Sequence, residues 1–299
     1  MKIGILASGS RGDVQPYIAL AKGLNKAGHL VRLITNENYS DLVLSHGIDL
    51  WSVPGDVQAV AQNPELSGLL EKGNFLKIMK LMGTAAKEAT VAMAKTALAA
   101  CSDVDLIIGG LGGAETGIAI GQKIGLPVIP AYMVPLTPTN RFPGVLAPKF
   151  PDLLGRLVNR PSHKLAKQIM WQNLRKADTI ARQTVLDLPP APFFGPYDST
   201  PTNNMPTLYA FSKHVISSPS DWPKSVKITG YWFLETQDHW DPPKYITDFI
   251  QAGQPPIFIG FGSMNNRISE EVAKSVIQAV QDTGQHAILQ SGWGGLGVN

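Results

Sequence analysis

The sequence has almost no cysteine. Cys101 stands alone in 299 residues, so no intrachain disulfide can form. That excludes a disulfide-stapled scaffold and leaves a reducing compartment, the cytoplasm, as the expected location. Cys101 itself reads as a small apolar residue ending a helix. Charge is also scarce: charged residues make up 16% and the formal net charge is +3. A field that weak argues against a basic nucleic-acid binder. The six histidines, at 29, 46, 163, 214, 239 and 286, are scattered without ligand spacing, so no metal site is expected. No uncharged apolar run approaches the length of about 18 residues that suggests a membrane span. The most apolar stretch, Val104 to Val134, is interrupted by Asp105, Glu115 and Lys123. The N-terminus lacks the apolar region and cleavage site of a signal peptide, and no short repeat or low-complexity tract appears. A dinucleotide fingerprint is missing too. Gly9 and Gly12 are spaced Gly-x-x-Gly, the second strand ends in Thr35-Asn36 where an acid is wanted, and Gly110-Leu111-Gly112 is followed by Glu115 instead of glycine. All three count against a nicotinamide oxidoreductase.

What is present is a globular composition, 44% hydrophobic, long enough for one large or two medium domains. Short apolar runs alternate with helical patterns. Strands are expected at Lys2–Ala7, His29–Thr35, Leu50–Val53, Leu106–Gly109 and Val128–Ala131. Helices are expected at Pro16–Ala27, Tyr39–His46, Asn74–Ala100 and Glu115–Ile124. Such alternation predicts an α/β fold, a parallel sheet covered on both faces. Proline-rich segments at 134–151 and 188–206 flank a helix at Ser162–Ala181. Short strands follow at Thr207–Ser212 and Lys227–Thr229. The pattern then restarts with a strand at Ile257–Phe261, a helix at Ser269–Thr283 and a strand at His286–Gln290. The expected organisation is a Rossmann-like domain over 1–240, a boundary over 241–256 and an incomplete second Rossmann-like domain over 257–299.

The chemistry-bearing candidate is the exit of the first strand, Gly9-Ser10-Arg11-Gly12-Asp13. Ligands of open parallel sheets bind at the carboxyl ends of strands. A carboxylate at that mouth can take a proton from an attacking hydroxyl. Asp is equally a favoured residue for capping a helix start, so Asp13 supports both readings. Gly262-Ser263 repeats the strand-to-turn pattern. Backbone N–H groups there would suit a phosphate, although an ordinary turn explains them as well. Phe75, Ile78, Met79 and Met82 share one helical face, with Lys77, Lys80 and Lys87 on another. A core stripe with a solvated charged face is the plainer reading. An apolar acceptor channel, or a face resting on anionic lipid, is the functional one. The segment Tyr132–Val145, with Tyr132 and Met133 at its start, is the other candidate acceptor wall.

Several blocks together resemble one family. Gly9-Ser10-Arg11-Gly12-Asp13-Val14-Gln15-Pro16 resembles the opening loop of sterol 3-beta-glucosyltransferases and of glycopeptide-antibiotic glycosyltransferases, the family 1/28 type. Asp221-Trp222-Pro223, Gly230-Tyr231-Trp232-Phe233, Trp240, Pro242-Pro243 and the run Gly253 to Met264 resemble the same family in order and spacing. Ser291-Gly292-Trp293-Gly294-Gly295-Leu296 continues the match. The resemblance implies a GT-B fold and metal-independent, inverting transfer of a hexose, glucose from UDP-glucose, to a hydroxyl of a sterol-like or other apolar acceptor. No cofactor is implied, since the nucleotide sugar is a substrate. It implies Asp13 as general base and Ser10, Arg11 and Gly12 near the sugar and diphosphate. Gly262 and Ser263 would touch the diphosphate, and Ser291, Gly292 and Trp293 would line the donor side. The family's His-Gly-Gly-rich donor signature is absent, so the chain reads as C-terminally truncated, with independent activity in doubt. A non-catalytic acceptor-binding protein lacking the donor half is the alternative.

Overall fold

The computed structural model describes residues 1–55, 75–145, 147, 151–198, 200–235, 241–262 and 269–290, with positions 75–84, 152–154, 156, 200, 269 and 270 as backbone only. The strands of the first compact unit are β1 (Lys2–Leu6), β2 (Leu30–Asn36), β3 (Asp49–Val53), β4 (Leu106–Gly109), β5 (Val128–Tyr132), β6 (Thr207–Tyr209) and β7 (Val226–Ile228). They form one parallel sheet in the order β3-β2-β1-β4-β5-β6-β7. The helices of the chain's N-terminal part are α1 (Arg11–Lys26), α2 (Ser40–Leu44), α3 (Phe75–Ala100), α4 (Ala114–Ile124) and α5 (Asp152–Ala181).

Alternate residues of each central strand feed opposite cores. Ile5, Leu33 and Ile108 pack beneath α1 and α2 with Val14, Tyr17 and Ile18. Leu6, Ile34 and Ile107 pack on the other face with Met93, Ala97 and Ile118 from α3 and α4. Burial on both faces explains why these strands read as unbroken apolar runs. Cys101, just past α3, lies in the second core, and burial pushes its thiol up to about 12. It packs there as the small apolar residue expected.

The strand order reverses between β1 and β4. The chain runs outward through β2 and β3, returns, and continues the other way from β4. Loops leaving β1 and β4 therefore lie side by side, at the kind of switch point where such sheets bind ligands.

Two helices start earlier than expected. The helix expected at Pro16–Ala27 begins at Arg11, so α1 contains Pro16. The helix expected at Ser162–Ala181 begins at Asp152, so α5 contains Pro161. Proline forfeits one helical hydrogen bond. Beside the proline in α5, Ser162 Oγ donates to Asn159 O (2.6 Å) and accepts from Gly144 N (2.9 Å), which ties the helix to the loop after β5. The expected helix Tyr39–His46 is a 3₁₀ turn, Glu37–Tyr39, followed by α2.

The two compact units are Met1–Asp56 with Met82–Leu234, and Val57–Leu81 with Glu235–Asn299. The second contains α6 (Lys244–Gln251), β8 (Ile257–Gly260), α7 (Ser269–Thr283) and β9 (Ala287–Gln290). β8 and β9 pair in parallel through Ile257↔Ala287 to Gly260↔Gln290. Among the described residues β8 has no second strand partner, and Ile257 and Phe258 are exposed.

Candidate active site

The exit of β1 is built around Asp13. Gly9 has φ +139°, and a Cβ there would stand 2.5 Å from Asp13 Oδ2. Only glycine lets the carboxylate fold back over the loop. Asp13 is the third residue of α1, and its Oδ2 accepts from Ser10 N (2.8 Å) and Ser10 Oγ (2.8 Å). That satisfies a backbone donor at the helix start, as the reciprocal arm of a capping box does. Among the described residues no donor reaches Oδ1. Capping thus occupies one oxygen of this half-buried carboxylate and leaves the other without a described donor. Arg11 is exposed and donates to Gln15 Oε1 (2.8 Å), which ties it along the helix.

The rest of the mouth comes from distant segments. Ser8 Oγ donates to Asn36 Oδ1 (2.6 Å) at the end of β2, and Tyr39 OH donates to Gly9 O (3.0 Å). The β4–α4 turn packs backbone to backbone against the first loop. A Cβ on Gly112 would lie 2.4 Å from Ser8 O, and one on Gly113 would lie 2.5 Å from Leu6 O. Tyr17 OH donates to Ala131 O (2.5 Å) and accepts from Leu111 N (3.3 Å). Burial, then the Asp13 charge, hold that phenol above its ordinary range, against the Leu111 hydrogen bond. Its ring meets Trp232 edge to face at 5.7 Å. Tyr17, Asn36, Tyr39, Gly112 and Gly113 were not singled out as site residues. Only Thr35-Asn36 and Gly110–Gly112 left a trace in the sequence, and both were read there as failed dinucleotide signals.

The structure brings Ser10, Arg11, Gly12 and Asp13 together. Tyr132 and Met133 separate. Tyr132 packs with Tyr209, Phe211 and Trp222, whereas Met133 packs on the core beneath α1. Tyr132 also lines a cavity of about 620 Å³ with Leu136, Glu115, Lys167, Tyr197 and Tyr209. Glu115 Oε1 accepts from Tyr197 OH (2.9 Å), and the Lys167 ammonium sits 3.7 Å from the Tyr197 ring centroid. Burial lowers the Lys167 pKa and, with the Glu115 charge, raises that of Tyr132. Gly262 turns the chain after β8 with φ +61°. Ser263, Ser291, Gly292 and Trp293 lie outside the described residues, as do the side chains of Phe75, Met79 and Met82. Among the described residues no group of three His, Cys, Asp or Glu could hold a metal ion.

A parallel sheet reversing at β1/β4, with a second parallel β-α-β unit after it, is the architecture of the GT-B glycosyltransferases. Solved structures agree on the fold. The glycosyltransferase of kitacinnamycin aligns with TM-score 0.53 and 14% identity, covering 97% of this chain and 65% of that one. The glycosyltransferase SnogD from Streptomyces nogalater aligns with TM-score 0.51 and 17% identity, covering 97% and 66%. Residues 3–122 match the glycosyltransferase family 28 N-terminal domain. The chain is similar in sequence to sterol 3-beta-glucosyltransferases. It is 32% identical to UGT80B1 of Arabidopsis thaliana over 307 residues, spanning 99% of this chain and 48% of that protein. It is 33% identical to the enzyme of Cryptococcus neoformans over 310 residues, spanning 99% and 19%. The chain thus spans about half the length of its plant relative and a fifth of its fungal one. The resemblance read from the opening loop and the later blocks is borne out.

Proposed function

We propose that this chain is the acceptor-side part, with the opening of the donor side, of an inverting transferase. It moves a hexose, glucose from UDP-glucose, onto the hydroxyl of a sterol-like apolar alcohol. The domains are 1–240 for the acceptor, 241–256 as boundary and 257–299 as the start of the nucleotide-sugar domain. The observation that carries the reading is the divided carboxylate of Asp13 at the β1/β4 switch point. The names of the homologues support the substrate classes.

In this mechanism the acceptor oxygen attacks the anomeric carbon from the face opposite the diphosphate. Asp13 Oδ1 takes the hydroxyl proton as the new C–O bond forms, and the old one breaks to release UDP. Ser10 holds Oδ2, so the free oxygen has a fixed direction and the transition state needs little reorganisation. Ser10, Arg11 and Gly12 lie near the sugar and diphosphate. Gly262 and Ser263 contact the diphosphate, and Ser291, Gly292 and Trp293 the donor side. Phe75, Met79, Met82 and Tyr132 contact the acceptor, whereas Met133, packed beneath α1, is left out of that wall. The location is cytoplasmic with peripheral contact to a membrane, where apolar alcohols reside.

Asp13→Asn tests this assignment. Asparagine keeps the size and an oxygen for Ser10 but cannot accept the proton. In the intact enzyme at saturating substrates, turnover is expected to fall by about 10²–10⁴-fold, with acceptor affinity nearly unchanged. An unchanged turnover would leave Asp13 as a helix cap only.

A further inference from the structure

The long helix α5 carries a surface that the site does not use. Leu157, Leu165 and Ile169 are 75%, 62% and 46% exposed, and exposed Pro161 completes a row spaced four residues apart. At helical periodicity that row is one continuous apolar stripe. Beside it the 188–197 segment presents Phe193 and Phe194, 54% and 76% exposed. Their rings meet edge to face at 5.1 Å.

These rings are held outward by the fold. The Phe193 carbonyl accepts from Gln168 Nε2 (3.2 Å), Trp171 Nε1 (3.0 Å) and Gln172 Nε2 (2.9 Å). Trp171 is fully buried, so the pin is anchored in the core. Pro189, Pro190 and Pro192 stiffen the approach. A loop fastened this way cannot fold its two rings inward. Single exposed apolar side chains are ordinary on a protein surface, but five large ones grouped and held outward mark an interaction surface.

Charge identifies what meets it. Between Asp152 and Asp178 the helix has no acidic residue, and Arg160, Lys164, Arg175 and Lys176 lie on or beside the apolar row. None of the four forms a salt bridge with a described carboxylate. The Arg175 guanidinium lies 5.0 Å over the Phe193 ring, with its charge at the rim of the patch. Aromatic and aliphatic side chains ringed by flexible cations suit an interface that is apolar within and anionic at its surface. No helix described here is long and apolar enough to cross a membrane.

We infer that the outer face of α5, with Phe193 and Phe194, docks on an anionic lipid bilayer. The rings and the Leu157–Ile169 row enter the acyl boundary, and the four cations meet lipid phosphates and carboxylates. This deepens the peripheral contact proposed above by assigning it a surface, and it does not depend on which reaction the protein catalyses.

The test is co-sedimentation of the intact protein with vesicles of phosphatidylcholine alone and of phosphatidylcholine mixed with phosphatidylserine. Wild-type protein is expected to bind the anionic vesicles, more weakly as salt rises, and the neutral ones poorly. Phe193→Ser/Phe194→Ser leaves the pinned carbonyl in place, and Lys164→Glu/Lys176→Glu reverses two charges. Each double substitution is expected to weaken binding at least tenfold. Thermal unfolding, and transfer to a detergent-dispersed acceptor, should be unchanged. That second assay reads the transferase proposal separately, because a protein can fail to bind vesicles and still transfer sugar in detergent. Absence of anionic-vesicle binding, or equal binding by the variants, would overturn the inference. So would concentration-dependent self-association abolished by Phe194→Ser, which would give the patch to a second copy. Capture of a protein partner through the same residues without vesicle binding would overturn it too.

Discussion

At the scale of single residues, the account rests on Gly9 and Asp13 being one device. Gly9 has a backbone conformation that side chains rarely adopt, and its missing Cβ leaves the space that Asp13 Oδ2 occupies. Gly9→Ala therefore meets both strain and a clash. A strained left-handed position costs about 1–3 kcal/mol, and the displaced carboxylate should also lower turnover. Asp13→Ala removes the two nearest clash partners, Oδ2 and Cγ, and leaves only the Asp13 Cβ at 2.9 Å. The two substitutions are therefore expected to be sub-additive in a urea-unfolding double-mutant cycle. Costs that simply add would separate the two residues and weaken the site. The Gly-x-x-Gly-Asp loop was legible in the sequence because its logic is local, within five residues. Tyr17 was not legible, because its role depends on Ala131 O, 114 residues away. Nor were Gly112 and Gly113, whose need for glycine comes from the backbone of Ser8 and Leu6.

At the scale of elements, the strands were the most legible part. Burial on both faces demands apolar runs, and Leu106–Gly109 matches its expected bounds. Helix starts were less legible, because α1 and α5 both run through an internal proline, Pro16 and Pro161. The loop after β5 shows how one such element is fixed. His163, on α5, donates from Nε2 to Phe142 O (3.0 Å) and stacks edge to face on the Phe142 ring. Asp221 accepts from Thr139 Oγ1 (2.7 Å) and Asn140 N (2.8 Å). Burial lowers the His163 pKa, outweighing the Phe142 carbonyl and the Asp221 charge. Burial raises the pKa of Asp221, but its hydrogen bonds outweigh this and hold it below 3.8. Both groups bind protons more readily when unfolded, so both contributions are lost as pH falls. The histidine contribution is present above its unfolded value of 6.5 and fades below it, and the aspartate contribution is lost only below 3.8. Between pH 7.5 and 5.0 the urea midpoint is expected to drop, and to drop less in His163→Gln, which keeps a donor but takes up no proton. An equal drop in both would remove His163 as the acid-sensitive pin.

At the scale of the whole molecule, the α/β architecture followed from alternation, and the switch point follows from strand order. The position of the site could not be read from composition, because the parallel order β3-β2-β1-β4 exists only after pairing. The proposed function joins that geometry to a chemistry: a hydroxyl at the mouth, Asp13 as its base, and displacement of a diphosphate. The central claim is that the reaction is a single in-line displacement onto an apolar alcohol. It is tested most directly by supplying the intact enzyme with UDP-glucose, whose anomeric carbon is α, and a 3β-hydroxysterol. The anomeric proton of the purified product is then read by nuclear magnetic resonance. The account expects a β-glucoside, formed in an amount matching the UDP released. An α-glucoside would contradict inversion, and UDP release with free glucose and no sterol glucoside would contradict the acceptor.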